Sequence, residues 1–257
     1  MEDHRSAAAG VLWISLLFFL LAWTPLRAQG RLPMQTLTFS ANTWIVRQTQ
    51  EPEGPMDNYF GGRDLSVLLN PDGSLTLRLA REEGVWRSGE VTMQKRTGYG
   101  TYLFKVRTSP STLDPNVVLG LFTYSSASAY SHREIDIEFS AWGVRDSPVL
   151  GQYVVQPYEI PGQVKTFPIS GIDGPATYSF VWSEGKLDFA SWPGYGSRPE
   201  PGSPQLIAAW TFIDPKAVPK PSAQVHMNLY LAHGAVPPSG RGSTAVTIDA
   251  FQFIPAN

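Results

Sequence analysis

The sequence predicts an all-β fold, an antiparallel sandwich or a closed barrel built from many short strands. Three observations predict it. Short alternating or wholly apolar runs recur along the chain, separated by glycine and proline clusters, the signature of half-buried strands and tight turns. No segment sustains a helical period. Twenty-two prolines spread over 257 residues also work against long helices. One large domain of this kind accommodates about 200–250 residues.

Taken in order, the chain opens on a different composition. A short polar start, "MEDHRS", precedes the apolar block from Ala7 to Trp23, and "TPLRA" follows. This is the form of a secretory signal over residues 1–28, cleaved after Ala28. The block is close to the roughly 20 residues that span a bilayer, so an uncleaved N-terminal anchor is the alternative. A single domain over residues 29–257 is expected to follow.

Next, "LSVLLNPDGSLTLRLA" reads as two strands around the turn Asn70-Pro71-Asp72-Gly73. The segments "SGEVTMQ", "GTYLFKVRT", "VVLGLFTYS", "EIDIEFS", "GQYVVQPY", "ATYSFVWS", "KLDFASW", "QVHMNLYLA" and "STAVTIDAFQFI" read as further strands. The Pro/Gly-rich stretch 193–204, "PGYGSRPEPGSP", reads as a long surface loop. No repeat and no linker interrupts the series.

A net charge of -2 with 42% hydrophobic residues gives no basis for a nucleic-acid or anionic-membrane partner. The chain has no cysteine, which excludes disulfides, thiolate metal sites and a cysteine-linked lipid. An exported domain of this composition is held by its core alone.

The segment "HREIDIEF", residues 132–139, carries the chemistry. As a strand it sends Glu134, Asp136 and Glu138 to one face and Ile135, Ile137 and Phe139 to the other. Three like charges in a row repel, so a solvated polar face is a poor account of them. Hydrolysis of a glycosidic bond with retention needs two carboxyl groups about 5–5.5 Å apart. Positions i and i+4 of a strand are about 13 Å apart at Cα, a gap that two long Glu side chains can close across a twisted strand. The shorter Asp between them can separate their pKa values. Spacing alone does not say which Glu attacks.

With these residues and their flanks, the chain resembles glycoside hydrolase family 16, the lichenases, laminarinases, agarases, carrageenases and xyloglucan transglycosylases. "EIDIEF" resembles the family's catalytic strand, and "SGEVTMQ...GYGTYLFKVRT", "VVLGLFTYS", "ATYSFVW" and "HMNLYLA" resemble its neighbours in order, from about Gly61 to Phe253. The resemblance implies a concanavalin-like jelly roll of two curved antiparallel sheets with a cleft across one face. It implies Glu134 as nucleophile, Asp136 as assisting acid and Glu138 as general acid/base. It further implies an endo-acting retaining enzyme on a β-linked polysaccharide or oligosaccharide, needing no cofactor; the leader makes the expected location secreted or periplasmic, and a monomer is expected. A transglycosylase on the same site and a non-catalytic glycan binder are the alternatives. A membrane partner is expected only if the leader stays uncleaved.

Alternation extends the cleft to neighbouring strands. Val225, Met227, Leu229 and Leu231 form an apolar row, which turns His226, Asn228 and Tyr230 toward the cleft and off the core. Phe122 and Tyr124 share one face of their strand, where aromatic rings suit sugar. By resemblance Glu90 contacts sugar, and His132 matches a His two before the nucleophile in xyloglucan enzymes. Asp249 matches a residue of a structural calcium site, although one carboxylate is few of the six to eight oxygens calcium takes. The recognition shell departs from lichenases, with His132, Arg133 and Tyr230 where those enzymes carry Trp, Asp and Trp, and with Val154 in an Asn place. Mixed-linkage glucan is therefore not expected to be the best substrate.

Overall fold

Burial alternates along strands such as 75–78 and 100–106, whereas strands such as 117–124, 135–140 and 224–231 are largely covered on both faces. The computed structural model describes residues 32–234 and 236–256; the leader, its cleavage site and Ala235 lie outside the described residues. In chain order the strands are β1 (Gln35–Phe39), β2 (Asn42–Val46), β3 (Tyr59–Phe60), β4 (Val67–Leu69), β5 (Leu75–Arg78) and β6 (Ala80–Glu82). Then come β7 (Val85–Met93), β8 (Gly100–Val106), β9 (Val117–Tyr124), β10 (Ile135–Ser140), β11 (Leu150–Val155) and β12 (Val164–Pro168). The last are β13 (Ala176–Ser183), β14 (Lys186–Pro193), β15 (Ala208–Ile213), β16 (Gln224–Leu231) and β17 (Ala245–Pro255). Short 3-10 turns at Pro110–Thr112 and Ser131–Arg133 are the helical elements among the described residues. No helix among them is long and apolar enough to cross a membrane.

The strands form two sheets. One runs β1-β2-β7-β16-β9-β10-β11-β12, with β3 and β6 also paired to β7; the other runs β15-β14-β13-β8-β17-β5-β4. Pairing is antiparallel except for the short parallel match of β3 with β7. This is a jelly-roll sandwich, as the sequence predicts. The turn at Asn70–Gly73 joins β4 to β5, and the stretch after Pro193 stays without a strand until Ala208. The β1–β2 hairpin, the short β3 and β6, β12 and β15 are additional to the predicted series.

Between the sheets lies one core. β9 and β10 give it Leu119, Leu121, Ile135, Ile137 and Phe139; β16 gives it Val225, Met227, Leu229 and Leu231. The facing sheet supplies Tyr102, Phe104, Phe180 and Phe189, and Tyr153 of β11 stacks on Phe189 at 4.8 Å. Trp182 is fully buried and donates its indole N–H to Pro219 O. With the odd residues of β10 locked inward, the even ones must face away from the core. That single constraint places the carboxylate row.

Candidate active site

β10 pairs with β9 on one side and β11 on the other, so every cleft-facing residue has a fixed cross-strand neighbour. Asp136 lies opposite Phe122 and Val154; Glu138 lies opposite Gly120 and Gln152. Beyond β9, β16 sets His226 opposite Phe122 and Asn228 opposite Gly120, and β7 then sets Thr92 and Glu90 opposite His226 and Asn228. Five adjacent strands thus build one continuous face, about 19 Å wide at the usual strand spacing.

A cleft of about 650 Å³ opens over this face, lined by all three carboxylates of the row together with Glu90, Phe122, Tyr124, His226, Asn228 and Tyr230. Nine of the residues singled out from sequence therefore meet in one place. Arg47, Glu53, Gly54, Pro55, Thr92 and Gly120 complete the lining.

The three acids differ in their partners. Glu138 accepts a hydrogen bond from Gln152 Nε2 at 2.7 Å, and Asp136 accepts one from Gln156 Nε2 at 3.0 Å. Glu134 receives no side-chain hydrogen bond among the described residues; burial, helped by the charge of Glu138, lifts its pKa to about 7. Burial also raises Asp136 and Glu138, opposed in each case by the amide that donates to it. Asp136, 2% exposed, is further raised by its two Glu neighbours. At neutral pH the row therefore holds protons that three solvated carboxyls would have lost.

Glu90 behaves oppositely. Burial would raise it, but His226 and Arg47 outweigh that and hold it below the usual carboxylate range. Arg47 Nη1 donates to Glu90 at 2.9 Å, while Nη2 reaches Glu53 at 2.8 Å and Gly54 O at 2.7 Å. The guanidinium sits 3.9 Å from the Phe60 ring centroid. This clamp ties the loop at Glu53–Pro55 over one end of the cleft. Sequence reasoning missed Arg47, Gln152 and Gln156, because each acts through a cross-strand neighbour that only the register reveals.

Three expectations need correction. His132 is not on the catalytic strand and is not a cleft-lining residue. Tyr130, Ser131, His132 and Arg133 all have φ between 46° and 62°, a left-handed turn that ends at Glu134, and β10 starts only at Ile135. Such backbone costs an L-residue roughly 1–2 kcal/mol each, and strain of this kind is concentrated at functional sites. The turn lays the His132 ring flat on Tyr124 at 5.0 Å and 8°, with Nδ1 at 3.0 Å from Ser125 O. His132 backs Tyr124 instead of facing the cleft.

Tyr230 does face the cleft and stays out of the main core, but it is only 5% exposed and packs with Val118, Ala232 and Trp142. Tyr230 is therefore not simply off the core: its ring belongs to a small packed cluster as well as to the cleft lining. Burial and the surrounding carboxylates keep its phenol protonated, hence a donor.

Asp249 does not fit a calcium site. It lies at a bulge of β17, where one oxygen pairs with Arg107 at 2.5 Å and the other accepts from Tyr195 at 2.5 Å. Calcium needs six to eight oxygens, and among the described residues no group of three or more His, Cys, Asp or Glu could hold a metal ion. A guanidinium already neutralises this carboxylate.

Comparison with known proteins bears on the fold. No protein-family model matches the chain. No curated protein matches it by sequence. Solved structures do match. A Bacillus licheniformis beta-glucanase superposes with a TM-score of 0.59 at 16% identity, covering 85% of this chain and 95% of its own. A beta-1,3-glucanase from Mycobacterium marinum gives 0.54 at 19% identity, over 82% and 90%. The Mycobacterium tuberculosis protein described as an immunostimulatory antigen and pseudo beta-1,3-glucanase gives 0.55 at 18%, over 83% and 91%. At these identities the likeness is one of fold: this chain shares the jelly roll of those structures.

Proposed function

We propose that this chain is an exported, retaining, endo-acting glycoside hydrolase on a β-linked polysaccharide. The observation that carries the proposal is the row Glu134–Asp136–Glu138 at the floor of one open cleft, raised together so that at neutral pH the row is only partly ionised and can offer an anion for attack beside an acid for the leaving oxygen. Glu134, with oxygens free of side-chain donors, attacks the anomeric carbon. The glycosidic C–O bond breaks as Glu138 gives its proton to the leaving oxygen. Glu138 then takes a proton from water, whose oxygen displaces Glu134 and regenerates both groups with net retention. The amide of Gln152 suits this cycle: it donates to the Glu138 anion and, turned over, accepts from the acid. Asp136, held by Gln156, modulates its two neighbours. The apolar leader supports export, and the width of the face supports binding within a long chain.

The test is a panel of polysaccharides (mixed-linkage glucan, laminarin, xyloglucan, agarose, carrageenan) with product sizing and proton NMR of the first-formed anomer. Retention and medium-sized products are expected, with mixed-linkage glucan not the best substrate. Glu134→Ala should give the inverted glycosyl azide on an activated substrate with azide, and Glu138→Ala the retained one. An inverted first product from the wild type would refute double displacement. A glycan-binding protein without turnover is the second reading, favoured by the structural neighbour described as a pseudo-glucanase; binding with no product from any polysaccharide would select it.

A further inference from the structure

The seven-stranded sheet has an outer face of its own, remote in function from the carboxylate cleft. Along β8, Tyr102, Phe104 and Val106 enter the core, so Thr101, Leu103 and Lys105 point away from it. On β14, Phe189 is inward, and Trp192 lies on the side opposite to it by the strand period. Against these residues folds the loop that follows β14. Three hydrogen bonds hold it there: Trp192 Nε1 donates to Gly196 O at 3.0 Å, Thr177 Oγ1 to Gly194 O at 2.7 Å, and Tyr195 OH to Asp249 at 2.5 Å. The result is a preformed groove of about 410 Å³, within the size of small-ligand sites.

Its chemistry is specific. Lys105 and Arg198 both line the groove, and neither forms an ion pair among the described residues. Arg107 nearby is different, since Asp72 and Asp249 consume its charge. Lys105 Nζ stands 5.8 Å from the centroid of the Tyr195 ring. Thr101 and Gln252 add a hydroxyl and an amide to the lining. An aromatic ring with polar groups around it suits a sugar, and two cations without an ion pair among the described residues, one with a planar fork, suit a carboxylate on it; Asp188 feels the Arg198 charge from a distance. The catalytic-side cleft has the reverse character: five carboxylates line it against the single guanidinium of Arg47, which Glu53 and Glu90 already claim.

We propose that this groove is a second glycan site that takes a carboxylate-bearing sugar, a uronate unit of an acidic polysaccharide. It stands independently of the reaction proposed for the cleft, because no residue is shared. The site would hold the protein on an acidic polymer while the cleft on the other sheet stays free.

The experiment is an amide NMR titration of the full-length mature protein with an oligogalacturonate of a few units, with a neutral β-glucan oligosaccharide and a sulfated galactan oligosaccharide as parallel probes. The uronate should perturb the amides of Lys105 and Tyr195–Arg198 and leave those of β10 unmoved. Its affinity should fall about tenfold in Lys105→Gln/Arg198→Gln and should weaken as salt rises from about 0.05 M to about 0.5 M. Lys105→Arg should retain binding. Both substitutions are at the surface; if the double variant does not fold, Arg198→Gln alone reads the same loss in part. Uronate binding unchanged by these substitutions, perturbation confined to the cleft strands, no uronate binding at millimolar concentration, or tighter binding of the sulfated probe each overturns the proposal. Failure of catalysis in the cleft would leave these readouts untouched.

Discussion

Glu134 concentrates the electrostatic problem of the site. A carboxyl whose pKa is raised by folding adds stability only while it keeps its proton. That contribution is complete below about pH 4.5, its ordinary value, and is lost as pH rises to about 7. Glu134→Gln removes the titration, so the variant should match or trail the wild type in acid and exceed it by roughly 1–3 kcal/mol above neutrality. Denaturant unfolding at several pH values checks this; a difference that does not grow between those two values refutes it. Gln152 poses a matching question. Its amide favours the Glu138 anion, so Gln152→Ala should raise the Glu138 pKa and move the alkaline limb of the rate profile upward. A loss of kcat of about tenfold should accompany the shift. A pH–rate profile of unchanged shape would reduce Gln152 to a packing residue.

At the scale of the strand, register decides what the residues can do. Gly120 of β9 lies opposite both Glu138 and Asn228, and a Cβ there would stand 2.5 Å from Asn228 Oδ1. Asn228 is 2% exposed and has little room to retreat. Gly120→Ala should therefore displace the Asn228–Glu90 contact, costing about 1–3 kcal/mol and about tenfold in activity. Thermal unfolding with steady-state rates measures both, and an unchanged rate would remove Gly120 from the site. The same dependence on register separates what the sequence reveals from what it conceals. β10, β9 and β16 were legible because strict alternation forces one face inward, and that alone located the three acids, Phe122, Tyr124, His226, Asn228 and Tyr230. Arg47, Gln152 and Gln156 were not, since a polar residue beside a strand gains its role from a partner 14 to 43 positions away. The β1–β2 hairpin, β12 and β15 escaped as well, being edge-region strands whose order comes from the sheet they join. His132 was misplaced because alternation was carried past the strand's start into a left-handed turn that no period describes.

Across the whole molecule, the two sheets are joined through side chains that serve the core while their chain neighbours serve the cleft. Tyr153 is the clearest case. On β11 it points inward, fully buried, between Gln152 and Val154, which face the carboxylate side. Its ring stacks on Phe189 of the opposite sheet and its hydroxyl lies 2.6 Å from Ser191 Oγ. The chain has no disulfide to tie the sheets together, so contacts of this kind support the backbone ladder that sets β11 in register with β10. Two substitutions then separate stability from catalysis. Tyr153→Phe keeps the ring and loses one buried hydrogen bond, which should cost about 1 kcal/mol with no change in kcat. Tyr153→Ala empties the inter-sheet space and should cost about 3–5 kcal/mol. It should also lower kcat of the folded fraction, because β11 can shift and Gln152 with it. Unfolding curves give the stabilities, and rates measured well below the melting temperature give the second comparison. If Tyr153→Ala kept full kcat while losing that stability, the carboxylate row would be positioned by β9 and β10 alone, and the amides of β11 would have no part in setting its geometry.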